Sequence, residues 1–114
     1  MNVLFINPST SRYTRSVSVP LGLLSIASYL ESKGHKVRIY DRTVDKTKFE
    51  RIVSEFAPGI IGISVISYKS ITDTLLLAKA VSNMNIPVFV GGPLPSVLVE
   101  QTLKCDFIKG ISLG

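Results

Sequence analysis

The chain is predicted to fold as a doubly wound α/β domain, a five-stranded parallel sheet between two layers of helices. Three observations predict it. Short runs rich in Val, Ile and Phe alternate strictly with segments whose apolar residues recur at helical spacing. Helix-ending glycine and proline separate the two kinds of segment. A strand–helix–strand alternation of this length, joined by right-handed crossovers, closes as three layers, α/β/α.

The elements follow in order. Asn2 to Asn7 opens as a strand, stopped by Pro8. Leu21 to Lys33 reads as a helix with Leu23, Ile26, Ala27 and Leu30 on one face, and Gly34 is its C′ residue. Lys36 to Asp41 is the second strand. Asp45 to Phe56 is the second helix, with Asp45 as N-cap and Pro58 beyond its end. Gly59 to Ile66 is apolar at both parities, which places the third strand at the sheet centre. Ser70 to Asn83 is a helix capped by Ser70, with Ile71, Leu75, Ala78 and Val81 sharing a face. Pro87 to Gly91 is the fourth strand, Ser96 to Leu103 the fourth helix with Ser96 as N-cap, and Asp106 to Gly110 the fifth strand. The order expected is the flavodoxin-like 2-1-3-4-5. Only Ile111 to Gly114 follows the last strand, so the closing helix is missing. A fragment of a longer polypeptide is expected.

Composition narrows the function. A chain of 114 residues makes one domain with a sizeable core. Its single Cys105 forms no internal disulfide, and with His35 as the only histidine a Cys/His zinc or iron–sulfur site is not expected. A reducing cytoplasm follows. No apolar run is long enough to span a bilayer, and the N-terminus has no signal-peptide pattern, so no membrane partner is expected. The net charge of +5 is spread over isolated Lys and Arg residues without basic–aromatic interleaving, which argues for a solvated face rather than a nucleic-acid surface.

Ligands of open parallel sheets bind outside the carboxyl ends of the strands. The first strand delivers Asn7 and Pro8 there, followed by a polar loop to Val19 and a helix opening near Gly22. The third delivers Ser64, Ser67 and Tyr68, the fourth Gly91, Gly92 and Pro93, and the fifth Gly110 and Ser112. Adjacent glycines at a strand exit let backbone lie against a bound molecule. His35 precedes the second strand and falls at the opposite edge, as an exposed turn residue. No catalytic constellation can be assembled, so the edge is expected to bind rather than catalyse. A G-x-G-x-x-G dinucleotide turn and a P-loop are both absent, and Asp41 alone is a weak ribose-binding signal. Ser9 to Thr14 fits a flavodoxin phosphate loop loosely, which keeps flavin mononucleotide as an alternative.

Five segments, Val3 to Pro8, Pro20 to Leu30, Gly34 to Asp41, Gly62 to Ser67 and Val88 to Pro93, together resemble one family in its own order. They are similar to the N-terminal cobalamin-binding domain of cobalamin-dependent radical S-adenosylmethionine enzymes, in the group of the anaerobic magnesium-protoporphyrin monomethyl ester cyclase. The resemblance implies a corrin on the carboxyl edge with its nucleotide tail running into the sheet. It implies Ser64 and Tyr68 facing the tail, and Gly91 and Gly92 giving it room. The D-x-H-x-x-G of methionine synthase is absent, so the resemblance implies cobalamin without a histidine ligand to cobalt. Gly110 to Gly114 stands where the family often carries a Gly-Glu-Gly-Glu-like turn. The C-x-x-x-C-x-x-C of the iron–sulfur cluster is also absent, so the cluster, S-adenosylmethionine and the radical chemistry would belong to a C-terminal partner domain of the same polypeptide. A ligand-free structural or interaction domain of the same fold is the other reading.

Overall fold

The computed structural model describes residues 1–8, 21–64, 71–91 and 110–112. They form β1 (Asn2–Asn7), α1 (Leu21–Ser32), β2 (Lys36–Asp41), α2 (Phe49–Phe56), β3 (Ile60–Ser64), α3 (Ile71–Ser82), β4 (Val88–Gly91) and β5 (Gly110–Ser112). The sheet is parallel throughout and runs β2-β1-β3-β4-β5, the order expected of a doubly wound domain. The predicted helix over 96–103, and the predicted caps Ser70 and Ser96, lie outside the described residues. Among the described residues no helix is long and apolar enough to cross a membrane.

Alternation along each strand sends successive side chains to opposite faces. Leu4 and Ile6 of β1, Tyr40 of β2, Ile61 and Ile63 of β3, and Val88 and Val90 of β4 form one buried layer. Phe49, Ile52 and Val53 of α2 and Leu77, Ala78 and Val81 of α3 complete it. The other face carries Val3, Phe5, Asn7, Ile39, Asp41, Gly62, Ser64, Phe89 and Gly91. There α1 packs on β2, with Leu23 and Ala27 buried. Gly34, at φ +91°, closes α1 in the left-handed conformation that glycine adopts without strain, and its N–H donates to the Glu31 carbonyl at 3.1 Å.

Several boundaries and faces differ from the sequence reading, each for a local reason. The second helix starts at Phe49, with Lys48 rather than Asp45 at its N-cap. Asp45 instead accepts from the Thr47 N–H at 2.9 Å, an Asx turn that competes with helix, and the buried Tyr40 hydroxyl donates to the Thr47 carbonyl. On α3 the buried face is Thr74, Leu77, Ala78 and Val81, while Leu75 is 42% exposed. Asp73 is drawn inward to pair with Arg42, which turns the helix away from the predicted face. Ile26 of α1 is likewise half exposed. The fifth strand meets its predicted range only at Gly110 and continues to Ser112, while 106–109 lie outside the described residues.

Candidate ligand-binding site

The register lines up the carboxyl exits of all the strands. Asn7 pairs with Asp41, Ser64 with Gly91, and Gly91 with Ser112, while Ile6 pairs with Ile63 one step before Asn7 and Ser64. Asp41, Asn7, Ser64, Gly91 and Ser112 therefore form one row across the sheet, on the face that carries α1. The next row down is Ile39, Phe5, Gly62, Phe89 and Gly110. A rim of amide, hydroxyl and bare backbone thus stands above an aromatic and aliphatic floor. A carbon added at Gly62 would come within 2.9 Å of the Phe5 ring, so that ring lies close over the glycine.

The predicted site residues are distributed as follows. Asn7, Ser64 and Gly91 stand together in the exit row, each half-buried, and Pro8 behind Asn7 is fully buried. Gly22 is exposed in the first turn of α1, and a Cβ built there meets nothing within 4 Å, so packing within the chain does not require glycine. Gly110 opens β5 opposite Phe89, one row below the exits, and Ser112 takes the place in the exit row. Ser67, Tyr68, Gly92 and Pro93 lie outside the described residues.

Asp41 is committed to the protein's own donors. Its Oδ1 accepts from Asn7 Nδ2 at 3.1 Å, Thr43 N–H at 3.1 Å and the Thr43 hydroxyl at 2.6 Å. A carboxylate so used orients Asn7 and caps the turn, rather than presenting itself to a ribose. The Arg42 N–H donates to the Asn7 carbonyl at 2.9 Å, and the Arg42 guanidinium reaches α3, with Nε to Asp73 Oδ2 at 2.7 Å and Nη2 to Asp73 Oδ1 at 2.9 Å. Burial lowers the affinity of Arg42 for its proton, but the hydrogen bonds and charge of Asp73, aided by Tyr40, outweigh it and hold the pKa above the ordinary arginine value. Neither Asp41 nor Arg42 stood out as a site-building residue in the sequence. The available signal was their position immediately at the exit of the strand beside β1.

His35 lies at the far edge of the sheet. The Lys36 that follows it pairs with Asn2, and the strand between them and the exits rises about 3.3 Å per residue, or roughly 16 Å in all. It is half-buried rather than exposed, because the Gly34 turn folds it back so that its N–H donates to Leu30 at 3.2 Å, and its Nδ1 is buried without a hydrogen-bond partner. Among the described residues no cluster of His, Cys, Asp or Glu is placed to hold a metal ion.

A cleft of about 460 Å³ opens on the opposite face, between the β2–α2 connection and α3, with Tyr40, Arg42, Lys46, Phe49, Leu77 and Ala80 among its lining. It contains none of the predicted site residues, and charged side chains stand along it. The exit row is the better candidate, since ligands of open parallel sheets bind at the carboxyl ends of the strands.

The model of a family described as "B12 binding domain" matches residues 13–112. The chain belongs to this family. Among solved structures, this B12-binding domain is similar to the 1.5 Å crystal structure of a novel cobalamin-binding protein from Desulfitobacterium hafniense DCB-2. The TM-score is 0.68 at 15% sequence identity, over 97% of this chain and 52% of the other, so the chain spans about half the length of that protein. At that identity the likeness is one of fold. No curated protein matches the chain. The residues of the exit row fit the group that the family name implies. A corrinoid fringed with amides calls for neutral donors and acceptors above an apolar surface, and Asn7 and Ser64 stand above Phe5 and Gly62, with Gly91 beside them above Phe89.

Proposed function

We propose that this domain binds cobalamin along the exit row, as the cobalamin module of a radical S-adenosylmethionine enzyme. The observation that carries the reading is the neutral stretch of Asn7, Ser64 and Gly91 within the exit row, above its apolar floor, in a chain of the B12-binding family. Asn7, Pro8, Gly22, Ser64 and Gly91 would hold the corrinoid, with Ser67, Tyr68, Gly92, Pro93 and Gly110 completing the contacts. When bound, cobalamin supplies a cobalt centre that carries a methyl group or partners a radical reaction. This chain's residues bind and orient. Ser64 and the Asn7 amide offer hydrogen bonds, and Gly91 leaves backbone bare for close approach. His35, the chain's only histidine, lies at the far edge, which supports a cobalt without a histidine ligand from this domain. The lone Cys105 fits a reducing cytoplasm.

The test is retention of hydroxocobalamin by the purified chain through gel filtration. A coloured, stoichiometric complex is expected, and Gly91→Leu should abolish it while leaving the far-UV circular dichroism unchanged. No retention by the unmodified chain at high micromolar concentration would refute autonomous binding and favour a ligand-free interaction domain. The radical S-adenosylmethionine assignment is tested by the reading frame downstream of Gly114. A C-x-x-x-C-x-x-C motif there supports it, and an unrelated continuation removes it.

A further inference from the structure

We propose that Arg42 is a positioning residue for the cobalamin site, holding the exit of β1 with its backbone and the first turn of α3 with its side chain. The proposal rests on the cobalamin reading above and concerns a residue outside the predicted contact set. Its N–H donates to the Asn7 carbonyl at 2.9 Å, while the carboxylate of the preceding Asp41 holds the Asn7 side chain at 3.1 Å. Two bonds from one dipeptide therefore set both the backbone and the amide of Asn7. From the same residue the guanidinium grips Asp73, the third residue of α3, in a two-point contact at 2.7 and 2.9 Å. The remaining nitrogen, Nη1, donates to the Tyr40 hydroxyl at 3.0 Å, and that hydroxyl donates in turn to the Thr47 carbonyl. The guanidinium plane is thus fixed from two sides. Ser64 is held by the sheet, and the first turn of α3 is held by Arg42.

The pair suits geometry better than bulk stability. Its side chains keep only 26% and 11% of their exposure, so desolvation offsets much of the Coulomb attraction, whereas a two-point charge-assisted contact specifies orientation strongly. Losing it should scatter the relative positions of Asn7 and α3, and leave the core of α2, α3 and the sheet in place.

The test measures hydroxocobalamin dissociation constants by equilibrium dialysis for the full chain, Arg42→Met, Asp73→Asn and the double variant. Hydrogen exchange of residues 2–8 and 71–76 in the ligand-free proteins is measured alongside. Each single variant should weaken binding about tenfold, as when the binding-competent arrangement falls to about a tenth of the population. The double variant should be no weaker than the worse single one, because both remove the same contact. Exchange in 71–76 should quicken, while exchange in 2–8 and β3, whose hydrogen bonds these substitutions leave in place, stays as it was. Arg42→Lys, which keeps the charge without the two-point geometry, should fall between. The visible circular dichroism of bound hydroxocobalamin should change in Arg42→Met at saturation, a signature that loss of stability alone would not produce. If the unmodified chain binds and Arg42→Met binds within twofold of it, the positioning role is overturned and the cobalamin reading stands. Unchanged exchange in 71–76, or losses that simply add in the double variant, overturns it equally. If the unmodified chain binds no hydroxocobalamin, the cobalamin reading falls and this role falls with it.

Discussion

Gly62 should resist even the smallest side chain, and the reason is one aromatic ring. A Cβ at this position would sit 2.9 Å from both Cδ1 and Cε1 of Phe5, its register partner on β1. Comfortable carbon–carbon contact begins near 3.5 Å, so the ring must retreat by roughly 0.6 Å or more. Overpacking of this kind costs about 1–3 kcal/mol. Against it stands the reduced freedom of the unfolded chain, which favours alanine over glycine by about 0.4–1 kcal/mol where the backbone is compatible. The packing term is the larger, and Phe5 is only half-buried, so part of the strain can be relieved by swinging the ring. The net expectation for Gly62→Ala is a loss of about 1 kcal/mol, or about 3–6 °C in the unfolding midpoint of a domain this size. Urea unfolding at constant slope measures it. The decisive comparison is a cycle with Phe5→Ala, which removes both ring atoms nearest Gly62. In that background Gly62→Ala should be neutral or stabilising, giving a coupling of about 1 kcal/mol. An equal loss in both backgrounds, or a gain in the unmodified protein, would show that Phe5 is not what excludes a side chain here.

Two further outcomes follow from particular contacts. Asn2 Nδ2 donates to the Phe56 carbonyl at 2.8 Å and so ties the start of β1 to the last turn of α2; Asn2→Ala should cost about 1 kcal/mol in urea unfolding, and a neutral result would discount that tie. The Thr47 hydroxyl and amide, by hydrogen bonding, hold the Asp45 carboxyl below its ordinary range. A depressed folded-state value contributes stability above the ordinary aspartate range and loses it as pH falls through the folded value, so Asp45→Asn should flatten the acid limb of a stability–pH profile. An unchanged limb would mean that this exposed turn carries no linkage.

The parts of the fold legible in the sequence are those set by local chemistry. β1 and β2 begin and end where period-two patterning and Pro8 or the Asp41 turn dictate, and Gly34 ends α1 because only glycine takes its positive φ without cost. β3 lies in the middle because apolar residues at both parities need cover on both faces. What failed depended on particular side-chain partners that periodicity does not encode. The rotation of α3 answers to an ion pair between Arg42 and Asp73, 31 residues apart, which no helical periodicity encodes. The late start of α2 answers to Tyr40 holding Thr47 from inside the core. The same division runs through the site. Asn7, Ser64 and Gly91 could be named because the topology rule assigns strand exits to one edge, whereas the part Asp41 plays in holding Asn7 shows only in its hydrogen bonds to Asn7 and Thr43.

The two faces of the sheet divide the work, and this decides which experiments can be interpreted. The continuous core of Leu4, Ile6, Ile61, Ile63, Val88 and Val90 lies against α2 and α3, so stability is concentrated on that face. The face that carries α1 holds small and neutral residues at the exits, with Gly62 between the half-buried Phe5 and the 37% exposed Phe89 in the row beneath. Because neighbouring residues of one strand alternate between the faces, Ile63 and Ser64 are adjacent in the chain yet answer to different requirements. Truncating Ile63 removes buried apolar contacts and should weaken folding by about 2–5 kcal/mol, so any binding lost with it carries no information about the ligand. Altering Ser64 or Gly91 changes a half-buried rim that the core does not use. Loss of cobalamin retention there, with the core intact, can be assigned to the site.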